Sequence, residues 1–178
     1  MVARYPIRTG KVVEIIVWLA VASPDIDIYH LVKAAFYADK YHLNKYGRPV
    51  AGDDYQADTY GPLGQCIYRL LTNDPIEMLA LGGNGVLPFK LGDRWRVIAD
   101  REANTRILSA SDVEALRRGL DVVEPHTFDE LVEMTHEEGA YIAADGGRMK
   151  YEDMLDEDDP QRDEKAADLA ETARFAVL

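Results

Sequence analysis

A chain of 178 residues, 47% hydrophobic and 29% charged, has the size of one domain. It carries enough apolar material to bury about 70% of its unfolded surface. Its net charge of −12 sets it against nucleic-acid phosphates, and its single cysteine, Cys66, excludes an internal disulfide, which suits a reducing cytoplasm.

The charge is uneven. Residues 1–50 carry seven Lys/Arg against four Asp/Glu, whereas residues 151–178 carry ten Asp/Glu against three Lys/Arg. The asymmetry suggests either a basic protein partner for the acidic half or a plain solubilising charge. The longest apolar run, Ile15 to Ala22, falls far short of the ~20 residues that cross a bilayer. Arg4, Arg8 and Lys11 before it and Ala20-Val21-Ala22 at its end have the outline of a secretion signal. Glu14 interrupts the entry, and the stretch reads better as a core helix.

Lys11 to Ala22 is apolar on nearly all sides and predicts a central helix. Ser23-Pro24-Asp25 breaks it. Asp27 then caps a second helix, whose stripe is Ile28, Leu31, Val32, Ala35, Phe36 and Leu43. Lys45, Gly47 and Pro49 supply its stop. The segment Tyr46 to Pro62 holds three glycines, two prolines and three tyrosines, and reads as a defined corner between helices. Pro62 suits a first helical position, followed by the stripe Leu63, Cys66, Ile67, Leu70 and Leu71.

Asn73-Asp74-Pro75 ends that helix. Ile76 to Leu81 predicts one or two further turns, and Gly82-Gly83-Asn84-Gly85 a flexible link. Residues 86–98 read as a hairpin around a two-residue Gly92-Asp93 turn, with Pro88 on an edge strand. Ser111–Glu114 and Thr127–Glu130 have the form of capping boxes opening two more helices. Met149 to Asp159 is acidic. Ala166, Leu169, Ala170, Ala173 and Phe175 form the apolar face of a last short helix, which either folds back or meets a partner.

Candidate chemistry is sparse. Asp53, Asp54 and Asp58 lie in an extended stretch where neighbours point to opposite sides, so Asp53 reads as a turn cap rather than half of an acid–base pair. His136-Glu137-Glu138-Gly139-Ala140 opens like a zinc-protease helix, but Ala140 stands where the second histidine is required. His30, His42 and His126 add no ligand spacing, and Cys66 lies on an apolar stripe. The chemistry on offer is binding. Tyr and Arg carry much of the energy at protein interfaces, which singles out Arg48, Tyr55 and Tyr60.

The run Tyr37-Ala38-Asp39-Lys40-Tyr41-His42-Leu43 leads into Tyr46-Gly47-Arg48-Pro49, then Gly52-Asp53-Asp54-Tyr55-Gln56-Ala57 and Tyr60-Gly61-Pro62. This pattern resembles the Panacea domain of SocA-like antitoxins, also found in phage-associated proteins. Leu108 to Asp112 and Thr135-His136-Glu137 resemble that family's C-terminal half, so the similarity spans roughly residues 11–143. The resemblance implies a mainly helical domain that neutralises a toxin encoded beside it. For some members it implies an adaptor that delivers a client to a protease or its unfoldase. It implies no catalytic residues. Two departures stand out. Gly139-Ala140-Tyr141 replaces a frequent Pro-Trp pair, and only about ten residues precede the first helix, too few for the DNA-binding module of some relatives.

The expectation is therefore a mainly α single domain, 1–148, with one β-hairpin near 86–98 and an acidic linker and helix over 149–178. The expected function is that of a cytoplasmic, non-catalytic antitoxin that binds its cognate toxin directly. The expected contact residues are Tyr41, Arg48, Asp53, Tyr55, Tyr60 and His136. No metal, cofactor or membrane is expected, nucleic acid is disfavoured, and a homo-oligomer is compatible with the sequence. A proteolytic adaptor, a DNA-binding regulator using the basic N-terminal third, and an enzyme using Asp53–Asp58 or His136 are the alternatives.

Overall fold

Helix α1 (Thr9–Ala22) is buried on nearly every side through Val12, Val13, Ile15, Ile16, Val17 and Leu19, as its all-round hydrophobicity requires. The computed structural model describes residues 3–81, 85–173 and 175. Helix α2 (Ile28–Tyr46) follows, its N-terminus capped by the Asp27 carboxylate, which accepts the His30 amide at 2.8 Å. It stops at Gly47, whose φ of 75° lies in the left-handed region. Then come β1 (Tyr55–Asp58), β2 (Gly61–Gly64), α3 (Gln65–Leu71), α4 (Pro75–Leu81), β3 (Phe89–Leu91) and β4 (Val97–Ala99). Helices α5 (Ala110–Val123), α6 (Phe128–His136), α7 (Gly139–Ala144) and α8 (Arg162–Thr172) complete the order. The architecture is mainly helical and forms a single domain. Among the described residues, no helix is long and apolar enough to cross a membrane.

Helix α5 packs along α2, and α3, α4 and β4 pack on α1. The α2–α5 approach is close because position 119 is glycine. A Cβ built there would stand 2.1 Å from the carbonyl oxygen of Ala34.

Several expectations need correction. The corner contains an antiparallel ribbon, β1 with β2, so the described residues form two hairpins. Pro62 pairs with Ala57 inside that ribbon and does not open α3, which starts at Gln65. The hairpin near 86–98 exists, but Phe89 pairs with Ala99 and Leu91 with Val97, so the connection is longer than Gly92-Asp93. Its register is set from outside. The Val97 amide donates to the Ile26 carbonyl at 2.9 Å, and Val97 is fully buried. Arg94 and Trp95 take positive φ in the resulting turn. The first capping box is formed by Ser109 and Asp112, two residues before the expected pair, whereas the Thr127–Glu130 box forms as expected. Of the expected link Gly82-Gly83-Asn84-Gly85, residues 82–84 lie outside the described residues, and Gly85 takes a positive φ of 64°.

The segment after residue 148 is woven into the core. Met149, Tyr151, Met154 and Leu155 are all buried. Helix α8 returns Leu169 and Ala173 to the same core, while Phe175, expected on that apolar face, is 82% exposed. The side chain of Ala170 lies outside the described residues.

Candidate partner-binding surface

Two buried carboxylates shape the corner. Asp39 on α2 accepts the backbone amides of Val50 (2.8 Å), Ala51 (2.7 Å) and Gly52 (3.1 Å) and the Tyr55 hydroxyl (3.1 Å). Burial raises its pKa, while the amides and the Tyr55 hydroxyl oppose that shift. Asp53 accepts its neighbour's amide from Asp54 at 2.7 Å, as a turn cap does. It also accepts the amides of Cys66 (2.8 Å) and Ile67 (3.0 Å), which are orphan donors of the first turn of α3. Burial pushes its pKa up to about 7 against those bonds. The polar groups of the corner are thus occupied by the fold's own backbone.

Above this scaffold lies an aromatic face. Tyr60, at the tip of the β1–β2 turn, is 56% exposed, and its ring centroid is 5.5 Å from that of Phe128. Phe128 in turn lies 4.3 Å from Tyr29, whose hydroxyl donates to the Tyr60 carbonyl at 3.0 Å. Tyr68 and Trp95 extend the exposed aromatic surface. Two adjoining hollows of about 300 and 370 Å³ run along it and share Ile28, Tyr29 and Tyr68. Lys33 lies at the base of the smaller one. It is 2% exposed and donates to the Pro62 carbonyl at 2.7 Å, with its Nζ 4.8 Å from the centre of the Tyr29 ring. Burial lowers its pKa to about 7.

A family model described as "Antitoxin SocA-like, Panacea domain" matches residues 31–141. The chain belongs to the SocA-like antitoxin family. Searches among curated proteins and among solved structures return no match.

The matched Panacea domain begins within α2 and ends within α7, so it contains the corner and the Tyr60 turn. Of the six residues expected at a Panacea contact surface, two share this face. They are Tyr60 and His136, whose Nε2 lies 3.1 Å from the Thr59 carbonyl and whose ring stacks on Tyr141 at 4.6 Å. Asp53 and Tyr55 are buried and serve the scaffold, so their expected contact role is corrected. The reason is local. Tyr55 faces inward on β1, edge-on to Phe36 and Tyr151, while Asp53 is held by the amides of α3.

Tyr41 and Arg48 lie elsewhere, against α5. The Tyr41 hydroxyl donates to Glu114, and Arg48 bonds Asp112 at 3.1 Å. Sequence reasoning missed Tyr29, Lys33, Tyr68, Trp95 and Phe128. A signal existed for Phe128, a large apolar residue directly after the Thr127 cap, where a helix start is usually exposed. Among the described residues, no group of three or more His, Cys, Asp or Glu could hold a metal. The Cys66 thiol is buried, and burial raises its pKa.

Proposed function

We propose that this chain is an antitoxin that holds a toxin protein inactive by direct contact, in the cytoplasm, through the aromatic face around Tyr60. Family membership supports the antitoxin role. The observation that carries the choice of surface is the Tyr29–Phe128–Tyr60 ring cluster at the β1–β2 turn, in which Tyr60 and Phe128 are exposed on a half-buried Tyr29. Aromatic side chains on a rigid support are the usual anchors of protein interfaces, because they bury much area at little entropic cost. An interface of ordinary size, ~1,600 Å² in total, would extend over both hollows and Trp95. The reading is non-catalytic, since Asp39 and Asp53 are spent on backbone amides.

Co-expression with the product of the adjacent gene tests it. The expected result is a gene product toxic alone and harmless with this chain, present at undiminished level in a stable complex. Rescue accompanied by disappearance of the toxin replaces inhibition with an adaptor role. Absence of any toxic neighbour removes the antitoxin reading.

A further inference from the structure

Lys33 is a buried amine whose charged neighbour in the hollow, Asp58, acts on it from beyond ion-pair distance. It is 2% exposed and, among the described residues, has no carboxylate within ion-pair distance. Its one hydrogen bond there is to the Pro62 carbonyl at 2.7 Å, so two of its three N–H donors lack a protein acceptor. Burial makes its charged form costly and holds the amine close to neutral, and an arriving anion offsets the cost of protonating it. The other buried lysine, Lys11, shows the contrast, with Asp112 at 3.0 Å.

The surroundings of Lys33 define what can reach it. The hollow of about 300 Å³ above it is walled by Tyr29, Tyr60, Leu63 and Tyr68, and Gly61 closes its floor. Gly61 has φ of 92°, and a Cβ there would stand 2.2 Å from the Thr135 hydroxyl and 3.4 Å from Lys33 Cε. The walls accept a slim apolar stem, and the base offers unused donors. Asp58 lines the same hollow, and with the net charge of −12 it disfavours a generally acidic ligand. These features select one carboxylate on an otherwise uncharged or basic segment.

We propose that this hollow receives a Glu or Asp side chain of the partner polypeptide, whose carboxylate pairs with the Lys33 ammonium while neighbouring apolar atoms pack on Tyr29, Tyr60 and Tyr68. This rests on the reading of the aromatic face as the contact surface and adds the chemistry of its anchor. Burial, which lowers the pKa of Lys33 to about 7, makes the amine poised to gain a proton as the carboxylate arrives.

The test uses the full chain with isotope-labelled lysine, observed by NMR at the Lys33 side chain. The probes are the blocked peptide acetyl-Leu-Glu-Leu-amide, its Gln counterpart, and acetyl-Leu-Leu with a free C-terminal carboxylate. Concentrations reach about 10 mM, enough to fill most of a site with a millimolar dissociation constant. The Glu peptide should shift the Lys33 signal saturably and bind at least about tenfold tighter than the Gln peptide, as a charge-assisted bond requires. In Lys33→Met, followed at the Tyr60 amide, that preference should vanish. Equal binding of Glu and Gln peptides, or no shift with either, overturns the proposal even without the variant. Preference for the free terminus overturns the side-chain source. Toxin neutralisation that survives any of these negative results leaves the contact surface standing and removes only the anchor.

Discussion

The Tyr151 hydroxyl lies 3.3 Å from the carboxylate of Asp39, 112 residues earlier in the chain, and 2.8 Å from the carbonyl of Asp53. The segment after residue 148 therefore completes the polar core of the corner. Tyr151→Phe should cost about 1–3 kcal/mol, the penalty for an unsatisfied buried acceptor. Asp39→Asn should cost more, because an amide NH₂ would face either the donors of Val50 and Ala51 on one oxygen or those of Gly52 and Tyr55 on the other. Urea denaturation followed by circular dichroism reads both, and equal stability of all three proteins would refute the assignment.

Glycine inside a helix normally costs roughly 0.5–1 kcal/mol relative to alanine. Gly119→Ala should reverse that sign. The new methyl would meet the Ala34 carbonyl at 2.1 Å and force α5 away from α2, a loss of about 1–3 kcal/mol or more. Thermal unfolding of the variant measures it.

The pair Lys11–Asp112 is buried at both ends, and Asp112 also accepts the Ser109 amide at 2.9 Å to close the capping box of α5. Asp112→Asn strands the Lys11 ammonium and should cost about 3–5 kcal/mol. Lys11→Met leaves Asp112 with Arg48 at 3.1 Å and should cost less. Reversal of that order in denaturation experiments would contradict the geometry.

The combined contribution of Asp53 and Lys33 to stability should pass through a minimum near pH 7. Asp53 has its folded pKa raised from 3.8 to about 7, so the native state binds the extra proton and its contribution is lost as pH rises through that window. Lys33 has its folded pKa lowered from 10.5 to about 7, so the unfolded state binds the extra proton and stability recovers as pH rises from 7 toward 10.5. Each slope is at most about 1.4 kcal/mol per pH unit. Lys33→Met should flatten the alkaline limb alone, as urea midpoints measured from pH 4 to 10 would show.

Tyr60→Ala and Phe128→Ala remove exposed rings and should leave folding nearly unchanged. Each should weaken the proposed toxin complex by about 2 kcal/mol, roughly 30-fold, if the rings are interface anchors. Calorimetric titration of the purified partners decides it. Unaltered affinity in both would move the contact to another face.

Much of the helical frame was legible because its signals are local. Gly47 ends α2 in a left-handed conformation, Asp27 caps its start, and Thr127 with Glu130 opens α6. The ribbon at Tyr55–Gly64 was not legible, since its strands of four residues are too short for a periodic pattern and are held partly by long-range bonds such as Met149 to Tyr55. The hairpin register escaped for the same reason, being set by Ile26. At the candidate surface, Tyr60 could be picked out by type and by its glycine neighbour. Lys33 could not, because four-residue spacing places it beside Tyr29 on one helix without revealing that Pro62 and Gly61 close over it.

The late entry of Tyr151 bears on how the protein is made. Translation delivers Asp39 long before Tyr151, the last of its donors, by roughly ten seconds at ordinary elongation rates. Until then the loop between α2 and α3 lacks its final clasp. A message truncated upstream of that codon would yield a chain with an unfinished bend, a substrate for quality-control proteases rather than a merely weakened protein.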